Sequence, residues 1–190
     1  MQTFFEFSAL FLFYSLFAFS ILVALMGLIN LVFIKKPIIY DQNKTSVLVS
    51  VLIPARNEEV NIKRCIYSLI DQSYKNLEII ILDDDSSDQT FEIAQELAKK
   101  FQFISVVKGE KKSKGWTGKN WACYQLSKYA KGDYLLFIDA DTKLQKNTIG
   151  ESVSEMNSKD IDLISLFPNR ITKTAVDKVI SVTIGWFIFS

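Results

Sequence analysis

The chain has 190 residues, 49% of them hydrophobic, and its 22 basic and 21 acidic residues give a formal net charge of +1. This balance offers no overall signature of polyanion binding, so we expect no nucleic-acid partner. Histidine is absent, which excludes Ser-His-Asp and Cys-His catalysis and every histidine metal site. Acid–base chemistry in this chain must therefore fall to carboxylates.

An apolar segment opens the chain. No charged residue lies between Phe7 and Ile34, and about 20 apolar residues in a helix suffice to cross a bilayer core. The run is too long for a secretory signal and lacks a basic start, although a cleaved signal or a buried helical hairpin is the alternative. Lys35 and Lys36 follow it, and basic flanks stay in the cytoplasm. We predict a transmembrane helix over residues 4–34 of a single-pass cell-membrane protein whose remaining chain is cytoplasmic.

Strands and helices alternate after a polar connector at residues 35–46. Continuous apolar, β-branched runs are typical of strands buried on both faces, and apolar residues at helical spacing separate them. The predicted strands are Val47–Ile53, Glu78–Leu82, Phe103–Val107 and Asp133–Ile138, and the predicted helices are Glu59–Asp71, Gln89–Lys100 and Asn120–Tyr129. Ser86 and Gln89 have the spacing of a capping box at the second helix. The alternation predicts an α/β domain with a parallel sheet over residues 47–190.

A polar segment follows each predicted strand. These segments are Arg56-Asn57-Glu58, Asp83-Asp84-Asp85, the glycine- and lysine-bearing residues 108–119, and Asp139-Ala140-Asp141. Ligands of parallel sheets bind beyond the carboxyl ends of the strands. We therefore expect all four segments to meet at one edge of the sheet and to form one site.

Asp139 and Asp141 are the candidates for a metal site. Two carboxylates two positions apart in a turn can face one point, where Mg²⁺ or Mn²⁺ takes oxygen ligands and shares them with substrate phosphates. An aspartate that caps the next helix is the alternative.

The other three polar segments also have two interpretations. Asp83 and Asp84 require hydrogen-bond donors, such as a nucleotide base N–H or ribose hydroxyls, while Asp88 or Ser86 caps the next helix. Mobile lysines near a helix N-terminus suit a diphosphate, and a solvated loop is the alternative. The segment after the first strand is either part of the site or a salt-bridged helix start.

Four motifs in order, VSVLIPARNEE, EIIILDDDSSDQT, GWTGKNWAC and YLLFIDAD, resemble the family 2 glycosyltransferases of the GT-A fold. The resemblance covers residues 47–141. Within that family, GWTGKNWAC is similar to the bacterial enzymes associated with carotenoid and hopanoid glycosylation, the diaponeurosporenoate glucosyltransferase-like subgroup. A leading membrane helix also fits that subgroup.

The resemblance implies a role for each of several residues. Pro54, Ala55 and Glu58 would line the nucleotide pocket, Asp84 would contact the uracil, Lys119 would lie near the nucleotide and diphosphate, Asp139 would meet the ribose, and Asp141 would bind a divalent metal, Mg²⁺ or Mn²⁺. The metal would offset the charge that develops on the leaving diphosphate.

The expected activity is the inverting transfer of a hexose from a UDP-sugar to a lipid acceptor, carotenoid- or hopanoid-like, at the cytoplasmic membrane face. Inverting members use a further carboxylate as general base, and we expect it beyond Ser190, in a chain that looks truncated. Three alternatives stay open: a polysaccharide synthase, a polyprenyl-phosphate glycosyltransferase, and an inactive membrane module that only binds the donor.

Overall fold

The computed structural model describes residues 2–33, 47–166, 174 and 177 of the chain. The described residues form five helices and four strands. In chain order these are α1 (Gln2–Phe33), β1 (Val49–Ala55), α2 (Ile62–Ile70), β2 (Leu77–Asp83), α3 (Thr90–Lys100), β3 (Ile104–Lys108), α4 (Gly118–Tyr129), β4 (Tyr134–Phe137) and α5 (Thr148–Lys159). The chain divides into two compact units, one made of residues 1–36 and 165–190 and the other of residues 37–164.

Helix α1 belongs to the first unit and is apolar on all sides. Its segment Glu6–Ile29 has a mean hydropathy of 2.4, and by length and composition it could cross a membrane. Large apolar side chains along it are exposed, among them Phe11 at 72% and Phe17 at 59%. A core helix of a soluble protein would bury such side chains. The predicted connector, residues 35–46, lies outside the described part of the chain.

The second unit is built on a four-stranded, fully parallel sheet in the order β3-β2-β1-β4. Strand β1 is central, and its register pairs Val51 with Ile79 of β2 and with Leu136 of β4. Because every strand runs in the same direction, all four carboxyl ends lie at one edge. The predicted parallel α/β sheet is confirmed.

Helices cover both faces of the central strands β1 and β2, whereas Leu135 and Phe137 of β4 are exposed. Alternate residues of β1, including Val51 and Ile53, pack with buried side chains of α2, α3 and α5. Leu52 points to the other face and packs with Ala122 and Leu126 of α4. Burial on both faces explains why β1 and β2 are continuous apolar runs instead of alternating ones.

Strand β1 starts two residues later than the sequence pattern predicts. Val47 and Leu48 are as apolar as the strand itself, but one backbone group of each forms a hydrogen bond with a side chain. The Val47 carbonyl accepts a hydrogen bond from the Tyr74 hydroxyl, and the Leu48 N–H donates to Asp133 Oδ2 at 3.2 Å. At its other end the strand continues through Pro54 to Ala55.

The predicted capping box at Ser86 and Gln89 is wrong, because both groups bond across the chain. Ser86 Oγ accepts the Asn57 N–H at 3.0 Å, and the Gln89 N–H donates to Glu59 Oε2 at 3.0 Å. Asp88, the other predicted cap, accepts the Thr90 N–H at 3.0 Å. Helix α5 carries no strong sequence signal, and no prediction covered it.

The turn at Gly132 sets β4 beside β1. The Gly132 N–H donates to Ser50 Oγ at 2.8 Å, and the Ser50 hydroxyl donates to Glu78 Oε1 at 2.5 Å. A Cβ at position 132 would lie 2.6 Å from the Ser50 nitrogen and 2.7 Å from the Leu48 oxygen. Both atoms are backbone of the central strand, so they cannot move aside without displacing the sheet.

We therefore expect Gly132→Ala to destabilise the second unit by about 1–3 kcal/mol, the usual cost of overpacking a well-packed site. Gly118→Ala is the matched control, because a Cβ there meets only Asp84 Oδ2 at 3.5 Å, an ordinary contact. Urea denaturation of the detergent-solubilised chain, followed by tryptophan emission, measures both variants. A Gly132→Ala variant as stable as Gly118→Ala would show that the approach of β4 is not tight.

Candidate functional site

A pocket of about 410 Å³ lies at the carboxyl edge of the sheet. It is within the size range of small-molecule sites. The lining residues come from the carboxyl end of β1, from the segments after β1, β2 and β4, and from the start of α4. They are Pro54, Ala55, Arg56, Glu58, Asp84, Gly118, Lys119, Ala122, Asp139, Ala140 and Asp141. Residues distant in sequence therefore meet because parallel strands deliver them to the same edge.

The ends of β1 and β2 are tied together beside the pocket. The Asp84 N–H donates to the Ala55 carbonyl at 2.8 Å, which extends the β1–β2 pairing by one residue. Arg56 lies 3.8 Å from Asp84 Oδ2, and its side chain is 62% exposed, against 23% for Asp84. The predicted alternative, in which Arg56 pairs with Glu58 at a helix start, is wrong, because Arg56 faces β2 instead.

The loop after β1 is held rigidly against the loop after β2. Asn57 has a φ of 55°, a left-handed conformation that asparagine tolerates better than most residues. Its side-chain oxygen accepts the Ser87 N–H at 2.8 Å, and the next residue, Glu58, donates its N–H to Thr90 Oγ1 at 2.7 Å. These bonds place the Glu58 carboxylate at the pocket wall.

Asp83 is buried at the end of β2 and is not fully satisfied. The residue is only 5% exposed, and its Oδ2 accepts a long hydrogen bond of 3.4 Å from the Ser86 N–H. Among the described residues, no donor reaches Oδ1. A buried carboxylate oxygen without a donor is costly, so this position requires a donor from water or a ligand.

A chain of hydrogen bonds runs along α2 from Glu58 to the loop after β4. Asn61 Nδ2 donates to Glu58 Oε2 at 2.8 Å, and Arg64 Nη2 donates to Asn61 Oδ1 at 3.3 Å. The same Arg64 nitrogen donates to the Asp141 carbonyl at 3.0 Å. Arg64 therefore fixes the backbone that carries the Asp141 carboxylate, a contact that the sequence did not predict.

Helix α4 begins at the pocket. Thr117 is its N-cap, and the Thr117 hydroxyl accepts the Asn120 N–H at 3.4 Å. Gly118 and Lys119 supply the preceding N–H groups of the first turn, and both line the pocket, where the helix dipole favours an anion. Lys119 Nζ lies 2.7 Å from Asp139 Oδ1, and this hydrogen bond raises the pKa of Lys119.

Asp139-Ala140-Asp141 forms a turn directly after β4, closed by the Thr142 N–H on the Asp139 carbonyl at 3.0 Å. The alternative that an aspartate here caps the next helix is wrong. Helix α5 begins at Thr148, and its N-cap is Asn147. The buried Ala140 anchors the turn, so Asp139 and Asp141 are both presented at the surface of the pocket.

The pKa of Cys65 is affected by its burial and by the negative charges near the Asp139–Asp141 turn. Cys65 lies under the turn, with Sγ 3.8 Å from the Asp139 carbonyl oxygen. Burial raises the pKa of the Cys65 thiol to about 12, and the carboxylates of Asp141, Glu58 and Asp139 add to the rise. Cys65 and Cys123 are both free thiols.

Acidic side chains converge on the pocket without forming a complete metal cage. Within residues 2–33 and 47–166, no group of three or more carboxylates and thiols could hold a metal ion alone. The oxygen-only set of Asp139 and Asp141 suits a hard cation such as Mg²⁺ or Mn²⁺, which typically takes one or two carboxylates and completes its shell with water and substrate phosphates. Any ion held by Asp139 and Asp141 therefore needs further ligands from water or a bound phosphate.

All seven residues predicted from the sequence line this one pocket: Pro54, Ala55, Glu58, Asp84, Lys119, Asp139 and Asp141. Their individual roles remain predictions. Arg56, Gly118, Ala122 and Ala140 also line the pocket, and they were predicted only as members of longer segments. The contact of Arg64 with the Asp141 turn was not predicted. Ala122 was detectable as the residue one turn after Lys119 on the same helix.

Known proteins resemble this chain in sequence. A 4,4'-diaponeurosporenoate glycosyltransferase of Staphylococcus haemolyticus is 38% identical over 112 residues, which are 59% of this chain and 29% of the relative. The Staphylococcus aureus protein of the same name is 32% identical over 127 residues, 65% of this chain and 32% of the relative. Glycosyltransferase GlyG of Streptococcus pneumoniae is 29% identical, over 63% of this chain and 38% of that protein. The chain thus spans about a third of the length of these relatives.

Solved structures resemble it in fold. S. aureus TarS 1-349 in complex with UDP has a TM-score of 0.50 and 28% identity, over 58% of this chain and 32% of that one. The mannosyltransferase PcManGT of Pyrobaculum calidifontis, in complex with GDP-Man and Mn²⁺, has a TM-score of 0.58 and 22% identity, over 70% of this chain and 39% of that one. With these likenesses, the predicted GT-A fold is confirmed.

The model of the family described as glycosyl transferase family 2 matches residues 50–180. The match contains β2, β3, β4, all of β1 except Val49, and every residue that lines the pocket. Because it covers more than half of the chain, this chain belongs to glycosyl transferase family 2.

Proposed function

We propose that this chain binds a UDP-sugar in the pocket at the sheet edge and supplies the donor site of an inverting hexosyltransferase. The acceptor is a lipid, carotenoid- or hopanoid-like, and the site works at the cytoplasmic face of the cell membrane. The observation that carries the proposal is the meeting of Asp84, Lys119 and the Asp139–Asp141 turn in one pocket. A likeness to a UDP complex at 28% identity supports the nucleotide.

The pocket offers the groups that a nucleoside diphosphate requires. Asp84 is positioned to accept a base N–H, and a site built to hydrogen-bond a substrate discriminates strongly against bases that lack that donor. Lys119 and the first turn of α4 provide positive charge for the diphosphate. When the donor binds, Lys119 exchanges its contact with Asp139 for a phosphate oxygen, which frees Asp139 to accept from a ribose hydroxyl.

A divalent ion fits this site if the diphosphate completes its coordination. Asp141 would hold it, and the ion supplies neutralisation of the negative charge that builds up on the departing UDP. Arg64 fixes the Asp141 backbone, and Lys119 remains near the leaving group throughout. This chain's own residues therefore bind the donor, orient its diphosphate and stabilise the leaving group.

The lipid acceptor and the membrane location rest on two observations. Relatives at 32–38% identity are called 4,4'-diaponeurosporenoate glycosyltransferases, and such an acceptor is hydrophobic. Helix α1 is long and apolar enough to cross a bilayer, and Lys35 and Lys36 follow it on the side that would be cytoplasmic. A donor site that is anchored to the membrane is close to an acceptor that is dissolved in the bilayer.

Removal of the Asp141 carboxylate tests the metal. We expect Asp141→Asn to reduce UDP affinity in Mn²⁺ by at least about tenfold, or 1.4 kcal/mol, down to the affinity of the wild type without metal. Titration calorimetry of the detergent-solubilised chain, with and without Mn²⁺, measures it. Asp85→Asn is the matched control, since it removes the same charge from an exposed residue outside the pocket lining, at a φ of 59° that asparagine tolerates. A UDP affinity that changes neither with Mn²⁺ nor with Asp141→Asn would contradict the metal role.

Asp84→Asn tests recognition of the base independently of metal. An amide can turn its oxygen or its N–H₂ toward the ligand, but it loses the charge that strengthens the bond and pairs with Arg56. We expect UDP affinity to fall about tenfold both with and without Mn²⁺, whereas inorganic pyrophosphate binding stays unchanged. If pyrophosphate and UDP lose affinity equally, Asp84 acts on the diphosphate and not on the base.

Arg64→Lys tests whether Arg64 positions the turn that carries Asp141, the proposed metal ligand. Lysine keeps the positive charge but lacks the planar group whose single Nη2 reaches both Asn61 and the Asp141 carbonyl. We expect UDP affinity in Mn²⁺ to fall about threefold to tenfold and the metal-free affinity to stay constant, because only the Asp141 turn loosens. Lys63→Arg, the reciprocal change on the same helix, should alter neither value. Equal losses with and without metal would indicate general damage to α2.

A further inference from the structure

Three aromatic rings form an exposed cluster outside the pocket lining. The rings of Trp116 and Tyr124 are stacked with centroids 5.1 Å apart, and Trp121 lies 5.6 Å from each of them. Trp116 is 39% exposed and Tyr124 is 41% exposed. We call these three residues the aromatic patch. Stacked aromatic side chains that are left in water cost free energy unless something covers them.

Trp121 and Tyr124 of the patch lie on the outward face of α4, and Trp116 lies in the loop just before that helix. At 3.6 residues per turn, Trp121 and Tyr124 lie about 140–160° around the helix from Lys119, which lines the pocket. Around the circumference of the helix, Ala122 and Leu126 lie between Trp121 and Lys119, and both are buried against the sheet. The donor pocket and the aromatic patch therefore occupy separate sides of one helix, and the donor pocket does not explain the patch.

Positive charge surrounds the patch. Between Glu110 and Asp133 the chain has six lysines and no acidic residue. Lys112 Nζ donates to the Trp116 carbonyl at 3.2 Å, and Lys128 Nζ lies 4.4 Å from the centre of the Tyr124 ring. Lys111 and Lys114 are exposed in the same loop. A partner of this face must therefore combine negative charge with an apolar layer.

An anionic bilayer surface has both properties. Tryptophan and tyrosine favour the boundary between headgroups and acyl chains, where one end of the ring is apolar and the other is wet. Lysines near the surface are attracted to anionic headgroups. Helix α1 gives this chain an independent route to a membrane, and a tether raises the effective concentration of a weak surface contact.

We infer that the aromatic patch and its lysines dock the second unit onto an anionic membrane surface. The inference rests on the membrane localisation proposed above and names the face that makes the contact. It does not depend on sugar transfer. A docked α4 would also hold the first turn of that helix, and thus the donor pocket, close to the layer in which a lipid acceptor is dissolved.

Tryptophan quenching tests the inference on the full chain. Trp186→Phe leaves Trp116 and Trp121 as the emitting residues, because the chain has three tryptophans. The variant is reconstituted into vesicles of brominated phosphatidylcholine, alone or mixed equally with phosphatidylglycerol. We expect quenching by bromine to be at least about twofold stronger in the anionic vesicles. Lys111→Glu with Lys112→Glu and Lys114→Glu should return it to the level of the neutral vesicles.

A tryptophan elsewhere on the unit provides the matched control. Phe103→Trp is placed in a chain with Trp186→Phe and with Trp116 and Trp121 replaced by Tyr, which keeps an aromatic patch that favours the bilayer interface. It reports from a 38% exposed position just before β3. We expect no quenching there. Equal quenching at both positions would show that the unit meets the bilayer without a preferred face.

Flotation of the same vesicles separates failure of this inference from failure of the membrane localisation. A chain that floats with the vesicles while its patch tryptophans stay unquenched is membrane-bound through another segment, which overturns the inference. A patch whose emission shifts to the blue with protein concentration, without bromine quenching, is covered by a second copy of the chain. That result would also overturn it.

Discussion

The parallel pairing of β1 with β2 and β4 determines where every pocket residue lies. Since side chains alternate along a strand and the carboxyl ends share one edge, a fixed register delivers Ala55, Asp84 and Asp139 to neighbouring positions although up to 84 residues separate them in sequence. Helices cover both faces of β1 and β2, so the carboxyl edge is the place where these central strands can expose polar groups. Gly132 is part of this constraint, because only a residue without a Cβ lets β4 approach β1 so closely.

The pocket contains both positively and negatively charged side chains. Its lining contains the positive groups Arg56 and Lys119 and the acidic groups Glu58, Asp84, Asp139 and Asp141. Each positive group already contacts an acidic side chain, and Arg64, outside the lining, bonds to the Asp141 carbonyl. These contacts are partly exposed and contribute little to stability. Their consequence is functional, since a ligand with both a diphosphate and hydrogen-bond donors can replace them group by group. A purely anionic or purely cationic ligand would leave half of the site unsatisfied.

Much of this arrangement could be predicted from the sequence, because buried parallel strands and strand-end polar segments are local patterns. The four strands and three helices of the second unit follow from such patterns. Bonds between distant segments could not be predicted: Ser86 bonds to Asn57 instead of capping α3, and Arg64 reaches Asp141 across 77 residues. Local propensity gives way wherever a tertiary partner is available. The membrane orientation and the residue that activates the acceptor remain predictions.

The central claim is that four segments separated in sequence form one donor site. Hydrogen–deuterium exchange of the detergent-solubilised full chain, with and without UDP and Mn²⁺, tests it directly. We expect UDP with Mn²⁺ to slow exchange together in residues 54–58, 83–86, 116–119 and 139–142, with one common affinity. Protection confined to one of these segments, or protection elsewhere in the described unit with none at this edge, would contradict the claim.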